Sequence, residues 1–189
     1  SVDTLTVDQV LPGAFTAGAV VTTGGTVVAG YWNSTNTGVN VTIPIDNDAS
    51  LDGGTVQLQG FATGGTWDNL GAAVAIGPGD ISTNKVHSAT EVQVEALTNF
   101  GEGDTLQFRA VITDAAGNST TGADSGDTLT VDQVAPTLAP VSIASDNAVP
   151  ATAKIQDTIT LTFTSSEALS ALPVVTVTSL LRDAAESSL

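Results

Sequence analysis

An eight-residue string occurs twice in this chain, letter for letter: Asp3-Thr-Leu-Thr-Val-Asp-Gln-Val10 and Asp127-Thr-Leu-Thr-Val-Asp-Gln-Val134. Asp3 and Asp127 stand 124 positions apart, and each copy is followed at the second position by a proline, Pro12 and Pro136. Solenoid and propeller units repeat at roughly 20–50 residues, so a period this long is a whole domain. Each copy reads as a terminal strand. Leu5 and Val7, like Leu129 and Val131, alternate with threonines, and the proline then ends ladder pairing. The expected organisation is a slice of a tandem array. Residues 1–10 form the last strand of a preceding repeat, 11–134 a complete domain, and 135–189 a second domain that is truncated.

Composition narrows the partners. Only 4 Lys and Arg oppose 20 Asp and Glu, a formal net charge of −16, which repels phosphate and anionic membrane surfaces and attracts cations. Nucleic-acid binding is therefore not expected. No apolar run of about 18 residues is present, so direct membrane insertion is not expected either. Cysteine and methionine are both absent. Without cysteine the fold needs no disulfide staple, and a chain without methionine is expected to be processed or cut from something longer.

Short strands separated by turns account for the rest. Ala14 to Thr22 and Thr26 to Ala29, divided by Gly24-Gly25, read as a broken first strand, followed by a turn-rich loop from Gly30 to Gly38. Val39, Val41, Ile43 and Ile45 alternate with polar residues as a half-buried strand does. Thr55 to Phe61 follows with Val56 and Leu58 inward, and Trp67 to Ile76 supplies one or two short strands. Leu106, Phe108, Ala110 and Ile112 line one face of a later strand, which turns at Asp114-Ala-Ala-Gly-Asn118. Ser88-Ala-Thr-Glu91 has capping-box spacing, which predicts a short crossover helix over Ala89 to Thr98. The fold class expected is all-β, and a seven-strand count fits an immunoglobulin-like sandwich better than a barrel. Beyond Pro136 a second sandwich is expected to begin with Val141 to Ala144, Asp157 to Phe163 (Ile159, Leu161 and Phe163 inward) and Pro173 to Thr178. A short helix is expected in the tail, Ser179 to Leu189.

Thr130-Val-Asp-Gln-Val-Ala-Pro-Thr137, Ile112-Thr-Asp-Ala-Ala-Gly-Asn118 and Lys154-Ile-Gln-Asp-Thr-Ile-Thr-Leu-Thr-Phe-Thr-Ser-Ser-Glu167 resemble the bacterial immunoglobulin-like repeats of large secreted surface adhesins and biofilm proteins. The resemblance covers most of the chain up to about Thr178. It implies tandem sandwiches, one complete and one truncated, serving as a stalk on a bacterial cell surface, with calcium often at domain junctions. The implied partners are neighbouring repeats of the same chain. The chain carries none of the glycine-rich nonapeptide calcium repeats found in some such proteins.

The acidic loop Asp46 to Gly54 is the leading candidate site. In an immunoglobulin-like sandwich this loop and the last hairpin turn share the pole where the chain enters. Asp46, Asp48 and Asp52, with Asp114 and Asn118, are therefore expected near linker residue Asp8. Two carboxylates about 5 Å apart repel by roughly 3 kcal/mol at an effective dielectric of 20, unless they stay solvated or share a cation. Calcium accepts six to eight oxygens in loose geometry and suits this donor set. The plain alternative is a solvated acidic loop. Asp132 is expected to play the part of Asp8 at the following junction. Catalysis finds no support: there is no cysteine nucleophile, no Gly-x-Ser-x-Gly elbow, and the single His87 reads as a surface-loop residue. Two rival readings remain. One is a carbohydrate-binding module using the Gly30 to Gly38 loop and Trp67, although Trp32 and Trp67 read first as packing residues. The other is head-to-tail self-association by strand exchange.

Overall fold

The computed structural model describes residues 7–169 and 171–176. The chain divides into two compact units, Ser1–Val134 and Ala135–Leu189. The first contains β1 (Val20–Thr23), β2 (Tyr31–Asn33), β3 (Gly38–Pro44), β4 (Thr55–Ala62), β5 (Asp68–Asn69), β6 (Val74–Ala75), β7 (Asn84–Thr90), α1 (Glu91–Glu95), β8 (Thr105–Thr113), β9 (Ser119–Thr121) and β10 (Leu129–Asp132). One sheet has the order β1-β3-β7. The other has the order β2-β10-β8-β4-β5, with β6 also on β4 and β9 on β8. These ladders are antiparallel apart from β2 and β10, which run parallel.

The alternation seen in the sequence is what packs the unit. Val39, Val41 and Ile43 from one sheet and Val56, Leu58, Leu106, Phe108 and Ala110 from the other are completely buried and belong to a single apolar core. Side chains of successive strand residues point to opposite faces, so each strand contributes every second residue to that core.

Three expectations need correction. Thr26 to Ala29 is not a strand. Gly24 and Gly25 take positive φ (74° and 56°), and the strand resumes instead at Tyr31–Asn33, where Trp32 is completely buried. The indole supplies the burial that makes this segment a strand rather than an open loop. The capping box begins at Thr90, whose N–H donates to Gln93 Oε1 at 2.9 Å, and the helix is only Glu91–Glu95. Ser88 lies in β7, its hydroxyl donating to Asn40 Oδ1 at 2.7 Å. β7 itself is invisible to a hydrophobic pattern because its polarity is reversed. Buried His87 and Ala89 share a face with Lys85, while Val86 is 55% exposed.

The second unit contains β11 (Leu138–Ser145) and β12 (Ile159–Ser165), antiparallel, with Val141 opposite Phe163 and Ile143 opposite Leu161. Leu161 and Phe163 are half-buried, whereas Ile159, expected inward, is 48% exposed. No strand covers Pro173 to Thr176, and the rest of that expected strand and the tail helix lie outside the described residues. So does most of the expected first strand, of which Val7 to Val10 carries no ladder.

Candidate functional site

The acidic loop is built on its own side chains. Asp46 Oδ1 accepts from the N–H of Asn47 at 2.7 Å. Asp48 Oδ1 accepts from the N–H and hydroxyl of Ser50, at 2.9 and 2.7 Å, and so caps a single 3-10 turn, Ala49–Leu51. Leu51, 1% exposed, pins that turn into the core. The N–H of Asp52 closes the turn on the Ala49 carbonyl at 3.3 Å. The loop then passes so close to the end of β8 that a Cβ on Gly54 would stand 2.2 Å from the Thr113 carbonyl oxygen.

Facing it is the β8–β9 turn. Asp114 is 3% exposed, and its Oδ1 accepts from the N–H groups of Ala116 and Asn118, both at 2.9 Å, while Oδ2 accepts from the Asn118 side-chain amide at 2.9 Å. The Asn118 side chain, followed by the backbone donors of the turn, holds this carboxyl below its usual value of 3.8. The N–H of Ala115 donates to the Ser50 carbonyl at 3.0 Å, which joins turn and loop.

The incoming linker is fastened to the same pole. Asn118 Nδ2 also donates to the Asp8 carbonyl at 3.3 Å, and the Thr120 hydroxyl donates to the Pro12 carbonyl at 2.6 Å. Asp8 Oδ1 accepts from the N–H of Val10 at 3.0 Å. Gly13 lies against Asp46, whose Oδ2 would be 2.9 Å from a Cβ there. Between linker and loop is a cleft of about 550 Å³ lined by Pro12, Gly13, Phe15, Asp46, Leu51 and Thr83, among others.

Asp8, Asp46, Asp48, Asp52, Asp114 and Asn118 thus all belong to one connected pole. Among the described residues no three acidic or histidine side chains stand close enough together to hold a metal ion. Asp114 and Asn118 spend their polar atoms on the turn and the linker. The second oxygens of Asp8, Asp46 and Asp48 and the carboxylate of Asp52 are what the pole offers a hard cation, together with loop carbonyls. Asp132 lies elsewhere. It ends β10, which runs antiparallel to β8 and away from Asp114, and its neighbour Gln133 donates its N–H to Glu102 Oε2 at 2.8 Å.

Thr120 and Gly13, which hold the linker, carry no sequence signal for that role, because their partners are set by chain return rather than by spacing. His87 is not a surface-loop residue: it is 3% exposed and neither ring nitrogen has a hydrogen-bond partner. Burial lowers its pKa below 6.5, and nearby Lys85 pushes the same way. Trp32 donates its indole N–H to Glu95 Oε1 at 3.3 Å and offers no face to solvent. Trp67 is half-buried on the outside of β4 and β8, with Phe61 at 5.5 Å and the Arg109 guanidinium 4.2 Å above its ring, so one face of the indole is already occupied. No family model matches the chain, and no curated protein or solved structure does.

Proposed function

We propose that this chain is an extender from the stalk of a bacterial cell-surface adhesin, built of tandem immunoglobulin-like sandwiches, one complete and one truncated. In this reading it works outside the cell, keeps an adhesive tip away from the surface, is stiffened by calcium at the junctions, and turns over no substrate. The immunoglobulin-like part is supported by the strand order, in which the opening strand of the unit is split between the two sheets as β1 and β2.

The observation that carries the spacer reading is the grip of Asn118 on the carbonyl of Asp8. A module that fastens its own incoming linker beside an acidic loop fixes the direction from which its neighbour arrives. A calcium ion that drew Asp46, Asp48, Asp52 and Asp8 together would neutralise the acidic loop and tighten the same grip, with Asp114 and Asn118 holding the turn in shape. Asp132 would serve the junction that follows. At 100 times its Kd such an ion adds about 2.7 kcal/mol of stability. Thermal melting in EGTA and then in excess calcium tests this: the midpoint rises with calcium if the reading is right, and an unchanged midpoint rejects the ion.

A further inference from the structure

We infer that the groove between β2 and β8 accepts the Asp3–Val10 segment of a second copy of this chain. The groove is filled by β10, whose letters are those of Asp3–Val10. Leu129 and Val131 are 2% and 1% exposed there, and the positions of Leu5 and Val7 in the first copy supply the same side chains. The fixed points also have counterparts. The Asp127 carboxylate accepts from the N–H of Val20 at 3.2 Å, and Gln133 donates its N–H to Glu102 and its side-chain amide to Glu95. Asp3 and Gln9 stand at those places. Every side-chain contact that recommends β10 to the groove therefore recommends Asp3–Val10 equally.

The chain's own first copy cannot make this insertion while its linker stays docked. In the groove, the residue equivalent to Val134 emerges beyond Glu102, at the Thr105 end of β8. Pro12 is held by Thr120, which pairs with Ile112 near the other end. Seven residues of strand separate Thr105 from Ile112, about 23 Å at 3.3 Å per residue, whereas Leu11 and Pro12 reach about 7 Å. The donor must be a different molecule. Because donor segment and groove are different surfaces, the association is heterologous and propagates head to tail. In the wild-type chain the tethered β10 competes from an effective concentration in the millimolar range, so exchange is suppressed at micromolar protein. It is released when β10 is impaired.

The test uses the full 189-residue chain. Val131→Asp spoils the resident strand and leaves Val7 intact, so at micromolar concentration its mass by light scattering at least doubles, while the wild type stays monomeric. Val7→Asp/Val131→Asp has no good donor and does not assemble. A synthetic peptide of residues 3–10 raises the melting midpoint of Val131→Asp and returns it to the monomer, and the same peptide carrying Val7→Asp does neither. Equal masses for the single and double variants overturn the inference. So does a Val131→Asp protein that stays monomeric with a melt the peptide leaves unmoved.

Discussion

Asn118 donates its side-chain amide to the backbone carbonyl of Asp8 at 3.3 Å, across 110 positions of chain, and the same amide nitrogen serves Asp114 at 2.9 Å. One side chain therefore clasps the last hairpin turn and the incoming linker together. Asn118→Ala removes both bonds and is predicted to cost about 1–3 kcal/mol in urea denaturation. It also frees Val7 to Leu11, so limited proteolysis cuts the linker faster in the variant than in the wild type.

Gly54 and Gly53 separate two kinds of glycine requirement. At Gly54 a Cβ would meet the Thr113 backbone carbonyl at 2.2 Å, an atom that cannot swing aside, so Gly54→Ala forces the acidic loop off the end of β8 at a cost of about 1–3 kcal/mol. At Gly53 the nearest atom is 3.7 Å away and only the positive φ of 85° is unfavourable, so Gly53→Ala costs about 1 kcal/mol. Gly126, with open space and no positive φ, accepts alanine without loss. Denaturation midpoints of the three variants in that order check the packing of the pole.

His87 predicts a pH dependence above the carboxylate range. Its folded-state pKa lies below 6.5 because the imidazole is buried, so the unfolded chain takes up the proton first. Stability from this group is complete above about pH 6.5 and falls as the pH drops below it. Asp114, Asp68 and Asp80 act separately. Hydrogen bonds, chiefly from the Asn118 side chain, the Thr98 N–H and the Gly77 N–H respectively, hold them below 3.8, and their contribution is lost only as pH falls through that lower range. Stability measured by denaturant from pH 7 to 4.5 should decline in the wild type and stay flat in His87→Leu.

Trp32→Ala empties the largest buried side chain of the core and removes one of the two hydrogen bonds to Glu95 Oε1, leaving that from Gln133. The expected loss is about 3–5 kcal/mol, read by chemical denaturation. A variant as stable as the wild type would show that the indole is not the anchor of β2.

Strands with apolar residues at alternate positions were legible in the sequence: β3, β4 and β8, and the Asp114–Asn118 turn that follows β8. β7 was not, because its buried face carries Lys85 and His87 and its exposed face carries Val86. Lys85 is tolerated there by its 2.7 Å ion pair with Asp80, and an inward charge on an edge strand also discourages pairing with another chain. β2 was missed because a three-residue strand held by one indole leaves no periodicity to detect. At the pole, the grouping of Asp8, Asp46 and Asp114 followed from the order of strands and needed no side-chain detail. What the sequence could not show is that Asp48 and Asp114 are already engaged in capping and turn formation, since a carboxylate that shapes its own loop and one free to bind an ion look alike as letters.

The proposed stiffening of the extender rests on a cation joining the acidic loop to the linker, and calcium titration by calorimetry addresses it directly. The account predicts a saturable binding heat for the wild type that is lost in Asp46→Asn/Asp48→Asn, although that variant keeps the fold. No heat with the wild type, or the same binding isotherm for both proteins, would contradict it.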